Sequence, residues 1–199
     1  MTALDTMNTH DARDDRDELC SRTLACSNSR FNVFLDSVKE SDGFTVPDYL
    51  VVCPKRRMAN GVTGVAILPV VDGAFTLVRQ YRHAGSCFTW EIPRGFIEEH
   101  DEPLAAALRE LHEEAGLECR AEDMHDLGFV MPDAGIIDAR IQLFAATACR
   151  VIRPFHKTEL GLRSLLVVSA AQMADMIATS AIVDPSTIVS YYRYHSLAC

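Results

Sequence analysis

The sequence predicts an α/β fold: a mixed β-sheet sandwiched between α-helices, preceded by an antiparallel β extension. Three observations predict it. Apolar strand-type runs flank two Asp-Gly dipeptides, at 42–43 and 72–73, and Asp-Gly is a strong tight-hairpin signal. Leu104, Leu108, Leu111 and Ala115 recur at helical spacing, which gives one helix an apolar seam. Helix-start signals stand at Ser169 and Asp184, so helical segments also follow the strands. The interleaving points to one α/β domain without internal repeats or a long linker.

The chain has 199 residues, enough for one domain with a real core and some additions. Hydrophobic residues at 48% and charged residues at 24% fit a soluble globular protein. The net charge of −9 argues against a general nucleic-acid or anionic-membrane surface. An anionic substrate stays open, because a bound metal inverts the local sign. The seven cysteines are odd in number and lack C-x-x-C spacing, which excludes the common zinc patterns. A reducing cytoplasm is expected, with the thiols mostly filling core space. The N-terminal residues carry acids and no apolar core, so no secretory signal is expected. No apolar run is long enough to span a bilayer.

Taken in order, residues 1–28 are polar and mixed in charge and read as a flexible acidic tail, with a short helix over 18–25 as the one local signal. Residues 29–58 read as the β extension: Phe31, Val33 and Leu35 recur at period two, Asp42-Gly43 turns, and a second apolar run covers 49–53. Such a piece is marginal alone and needs a partner surface. Strands are expected over 62–71 and 74–80 around Asp72-Gly73. Residues 126–131 and 140–146 read as strands around the Pro132-Asp133-Ala134-Gly135 turn. Ser169 to Gln172 has capping-box form and should open a helix to about residue 178. Asp184-Pro185 should open a last one, with Asp as N-cap and Pro at the first helical position.

The chemistry concentrates in residues 95–117. Glu110, Glu113 and Glu114 stand at relative positions 0, +3 and +4 and share one helical face. Like charges so placed repel, so the face is either solvated or holds a cation. Hard oxygen donors suit Mg²⁺ or Mn²⁺. Reading outward gives Gly95, then Asp101 six residues on, Arg109-Glu110-Leu111, Glu113-Glu114 and Gly116-Leu117. This resembles the signature of the Nudix hydrolases, and residues 59–199 would then form the Nudix domain. By that resemblance Glu110 and Glu114 are principal metal ligands, Glu113 an additional one, and the backbone at Gly95 another. Asp101 stands where the family has Glu, the acid that braces the arginine of the box, here Arg109; Glu102 is the alternative brace.

Outside the box the chain resembles the ADP-ribose pyrophosphatase branch. Pro132 lies sixteen residues past Gly116, followed by Gly135 in the same turn. The segment Arg79-Gln80-Tyr81-Arg82 is similar to one that holds the nucleotide. Trp90-Glu91-Ile92-Pro93-Arg94-Gly95 is similar to the branch's approach to the box, with Arg94 in place of a small residue. Arg79, Arg82, Glu91, Arg94, Pro132 and Gly135 are therefore the substrate-side candidates. In this branch a loop glutamate activates water, and Glu159 is the only acid in the corresponding stretch. Glu113, Glu114 and His156 are the alternatives, and Arg109 completes the catalytic candidates.

The resemblance implies Mg²⁺-dependent hydrolysis of a nucleoside diphosphate sugar, ADP-ribose favoured, giving AMP and ribose 5-phosphate. GDP-mannose or another ADP-sugar is the runner-up substrate, and a non-catalytic nucleotide-sugar sensor is the rival of another class. It also implies a homodimer through the β extension, against the plainer reading that this sheet covers its own domain.

Overall fold

The computed structural model describes residues 16–157 and 160–197. The chain forms two compact units, one ending at Cys53 and the other beginning at Pro54. In the first, β1 (Glu18–Ser27), β2 (Phe31–Lys39) and β3 (Thr45–Pro54) form a sheet in that order. The tail expected to reach residue 28, and the helix expected over 18–25, give way here to β1, which pairs antiparallel with β2. All ten β1 residues are exposed, so the strand carries no apolar alternation to announce it. A side-chain fork holds it instead. Arg22 lies opposite Asp36 and donates to its two oxygens at 2.8 and 2.6 Å, a strong charge-assisted arrangement. That hydrogen bond keeps the Asp36 carboxyl below its ordinary value despite burial. Residues 1–15 lie outside the described residues.

The second unit continues with β4 (Val62–Val71), β5 (Ala74–Arg82), β6 (Cys87–Glu91), β7 (Arg94–Phe96) and β8 (Leu117–Glu118). Then come β9 (Met124–Val130), β10 (Arg140–Ala146), β11 (Arg150–Val151) and β12 (Leu162–Val168). Asp72 and Gly73 join β4 to β5 with φ of 49° and 78°, the left-handed pair a tight hairpin turn requires. The main sheet runs β12-β5-β4-β10-β9, with β6 on β5 and β7 on β4. Only its β4–β10 pairing is parallel, so the sheet is mixed, as expected. The edge strand β12 was not expected, because its apolar residues do not alternate.

Helices α1 (Pro103–Ala115), α2 (Ala170–Ala178) and α3 (Pro185–Leu197) cover both faces. The pleat of β4 shows why. Val65 and Ile67 join a core with Ala107, Leu111 and Ala115 of α1. Ala66 and Leu68, pointing the other way, join Met173 of α2 and Tyr191 of α3. Trp90 packs against this second core. The Ser169 capping box forms as read. Asp184 caps α3, its Oδ2 accepting from the Thr187 N–H at 2.8 Å. The thiols depart from expectation: Cys119 and Cys149 are buried, but Cys20, Cys26 and Cys87 are exposed. Burial pushes the Cys149 thiol up to about 12. No helix among the described residues is long and apolar enough to cross a membrane.

Candidate active site

Helix α1 presents its acids unevenly. Glu110 and Glu114 are 3% and 5% exposed, whereas the Glu113 side chain is 46% exposed. The two buried carboxylates face β7. Gly95, paired with Val65 of β4, makes room for them. A β carbon there would overlap the Glu110 carboxylate, lying 2.6 Å from Oε2 and closer still to Oε1 and Cδ. No side chain fits, which is the physical need for glycine. The Gly95 carbonyl turns the other way, towards Gly64 of β4. The α-carbon of Gly95 thus meets Glu110. One residue earlier, the Arg94 N–H donates to Glu114 Oε2 at 2.9 Å.

Arg109 braces this arrangement. Its Nη1 donates to Glu110 Oε1 at 2.7 Å and to Glu113 at 3.4 Å. Its Nη2 reaches the Phe96 carbonyl at 3.2 Å and Asp101 at 3.4 Å. The shorter Asp therefore does contact the box arginine. Glu102, the alternative brace, instead takes the extended N-cap position of α1. Burial lowers the Arg109 guanidinium, but the charge and hydrogen bond of Glu110, with Glu113 and Glu98, outweigh it and hold it above its ordinary value.

Beside the carboxylates lies a second charged cluster. Glu91, only 2% exposed, accepts Arg82 Nε at 2.8 Å and also Arg82 Nη2 and the Thr89 hydroxyl. Arg94 Nε lies 3.2 Å from the same carboxylate. Arg94 Nη1 donates to Asp184 Oδ1 at 2.9 Å. Burial would raise the Glu91 carboxyl, but the Arg82 hydrogen bond and the charges of Arg94 and Arg82 bring it below its ordinary range. Burial would lower Arg82, yet Glu91, Asp184 and Glu114 together keep it raised. Arg94 ties the two clusters into one site, its N–H on Glu114 and its guanidinium beside Glu91.

Three of the expected substrate-side residues, Arg82, Glu91 and Arg94, thus converge. Arg79 does not. Successive strand residues point to opposite faces, and its guanidinium stacks over Phe88 at 4.4 Å. Pro132 and Gly135 occupy the turn after β9, where Asp133 Oδ1 accepts from the Gly135 N–H at 3.2 Å. Glu159 lies outside the described residues, and His156 is exposed on the preceding loop. In the sequence Asp184 reads only as a helix-start signal, and Thr187 carries no signal at all. Their tie to the site spans 90 and 95 residues respectively, and no local pattern could have shown it.

The donors at the α1–β7 contact are carboxylate oxygens, the right chemistry for Mg²⁺ or Mn²⁺. Among the described residues no group of three His, Cys, Asp or Glu side chains is arranged to hold a metal. Mg²⁺ needs less, since it keeps several waters and takes one or two carboxylates besides substrate phosphates. The Glu110 and Glu114 pair fits such an ion.

A model of the NUDIX domain matches residues 62–147, from β4 to just beyond β10. The chain is also 30% identical over 145 residues to an ADP-ribose pyrophosphatase of Mycobacterium tuberculosis, covering 71% of this chain and 69% of that protein. The chain belongs to the Nudix family. A second relative of this Nudix chain, 28% identical over 127 residues, is a CMP-5'-(N-acetyl-N-hydroxy-3-aminopropyl)phosphonate hydrolase of Streptomyces rubellomurinus. That match covers 62% of the chain and 56% of the relative. The chain spans about half the length of the first curated relatives it matches. A crystal structure of an ADP compounds hydrolase superposes with a TM-score of 0.74 over 92% of this chain and 94% of that one. At 16% identity it shows the Nudix fold alone.

Proposed function

We propose that this Nudix chain hydrolyses the pyrophosphate linkage of a nucleoside diphosphate sugar, with ADP-ribose favoured and AMP and ribose 5-phosphate released. One observation carries the reading. The buried Glu110 and Glu114 carboxylates meet β7, and β7 also bears Arg94, linked through Glu91 to Arg82. Carboxylates for a cation therefore adjoin guanidinium groups for phosphate, as a diphosphate substrate requires. Mg²⁺, or Mn²⁺ in its place, would be held by Glu110 and Glu114, where it would neutralise phosphate charge and make water more nucleophilic. Arg109 orients Glu110, and the half-exposed Glu113 is the additional acid on the solvent side of the helix. Glu159 keeps its role as candidate base, with Pro132 and Gly135 on the nucleoside side.

The ADP-ribose pyrophosphatase of Mycobacterium tuberculosis supports ADP-ribose. The Streptomyces relative favours a second reading, a cytidine nucleotide joined to a phosphonate. A turnover panel tests both: ADP-ribose, ADP-glucose, GDP-mannose, a CMP-linked phosphonate and dNTPs, with Mg²⁺ and with Mn²⁺. Release of AMP from ADP-ribose at the highest kcat/KM is the expected result. Preferential release of pyrophosphate from dNTPs would remove the nucleotide-sugar reading. Binding of ADP-ribose without any phosphomonoester product would make the chain a sensor. Exposed Leu19, Leu24 and Phe44 in the N-terminal unit support the further reading of a homodimer, for which light scattering would return twice the chain mass. The cytoplasm is the compartment this reading expects.

A further inference from the structure

Asp184 divides its two carboxylate oxygens between two tasks. Oδ2 serves helix α3, accepting from the Thr187 N–H at 2.8 Å and the Thr187 hydroxyl at 2.7 Å. Oδ1 serves Arg94, accepting from Nη1 at 2.9 Å. A helix cap needs only the first. The second is a charge-assisted bond to a residue of the site, from a carboxylate 6% exposed.

The bond has a geometric consequence for Arg94. Its guanidinium donates from Nη1 to Asp184 at 2.9 Å, and its Nε lies 3.2 Å from the Glu91 carboxylate. A planar group paired with carboxylates at two nitrogens has its orientation restricted. The side chain stays 30% exposed, and among the described residues Nη2 donates to no protein acceptor. The backbone beneath is fixed as well. The Thr187 hydroxyl, itself held by Asp184, accepts from the Ile92 N–H at 3.0 Å, and the Arg94 N–H is bound to Glu114.

We propose that Asp184 is a positioning residue that orients the Arg94 guanidinium towards the phosphates of the substrate. Its Oδ1 and Glu91 engage the guanidinium at Nη1 and Nε, so that the Nη2 N–H groups are presented already aligned. A freely rotating arginine would lose side-chain entropy on binding; a pre-aligned one loses less. The inference rests on the diphosphate reading, and it deepens it by assigning the orientation of one phosphate contact to the start of α3.

The test separates the two. Binding of a non-hydrolysable ADP-ribose analogue, with a methylene in place of the bridging oxygen, is measured by calorimetry and needs no turnover. The proteins are the full chain, Asp184→Asn, Arg94→Ala, Arg94→Lys and the Asp184→Asn/Arg94→Ala double variant. Asn is as good a helix cap as Asp, so Asp184→Asn should keep the wild-type Tm while losing the charge on Arg94. The expected result is a Kd raised about tenfold in Asp184→Asn, in the range of one charge-assisted contact. Arg94→Ala should weaken binding at least as much, and the double variant no further. Arg94→Lys, which cannot present a planar edge, should match Arg94→Ala. An unchanged or lower Kd in Asp184→Asn, additive losses in the double variant, or wild-type binding by Arg94→Lys would each overturn the proposal. A wild-type chain that binds no diphosphate would overturn it too. A chain that binds the analogue yet hydrolyses no nucleotide sugar would refute the proposed reaction and leave the orientation of Arg94 standing.

Discussion

Replacing Gly95 by Ala sets two opposed effects against each other. Gly95 is not among the residues with positive φ, so its backbone suits alanine. At such a position Gly→Ala stabilises by about 0.4–1 kcal/mol through the unfolded chain. Against this, the new methyl lies 2.6 Å from Glu110 Oε2 and closer to the rest of that carboxylate. Glu110 is pinned there by Arg109 at 2.7 Å, and β7 is pinned by its ladder to β4. Forcing a methyl into a packed site costs roughly 1–3 kcal/mol. The contact should win by about 1–2 kcal/mol, a Tm lower by about 5 °C for a chain of this size. Thermal and urea unfolding measure the loss. Turnover should fall far more than stability, because Glu110 is displaced from the proposed metal-binding pair. An alanine variant as stable and as active as the wild type would refute the close approach of β7 to α1.

Glu114→Gln keeps an oxygen for the Arg94 N–H but loses the charge, so kcat should drop by about 100-fold or more at an unchanged Tm. Turnover near the wild-type rate would contradict its role as ligand. Glu91→Ala leaves Arg82 and Arg94 without the carboxylate they share and should destabilise by about 3 kcal/mol, read by urea unfolding. Glu91 is depressed in the folded state from 4.5, so its contribution is fully present above the unfolded value and lost as pH falls through the lower folded one. Acid unfolding of Glu91→Gln should therefore show a shallower pH dependence below about 4.5, and an identical profile would count against the ion pair. Cys119 and Cys149, buried and with raised thiols, should resist alkylation until the chain unfolds, whereas Cys20, Cys26 and Cys87 label at once by mass spectrometry.

Much of the site was legible because it is local. Spacing alone sets Glu110 and Glu114 on one face of α1, while Gly95 and Arg109 stand out through the resemblance of residues 95–117 to the Nudix signature. The β4–β5 hairpin and the caps of α2 and α3 were legible for the same reason: Asp72-Gly73, Ser169-Gln172 and Asp184-Pro185 act on their immediate neighbours. Strand β1 was not legible, because a ten-residue strand exposed throughout buries nothing and needs no pattern. Arg79 was grouped with Arg82, although their odd separation along a strand already sets them on opposite faces. The distant tie of Asp184 to Arg94 was hidden by its own helix-capping role, which explained the residue fully at short range.

The order in which these ties can form has a consequence for assembly. Arg94 meets Glu114 across 20 residues but Asp184 across 90, and chain closure is costlier over the longer span. During synthesis β7 and α1 can come together while α3 has yet to emerge, so a carboxylate pair exists before the arginine beside it is locked. The final helix is then the step that fixes Arg94, and a chain stalled before it would have Glu110 and Glu114 in place beside an arginine not yet held by Asp184.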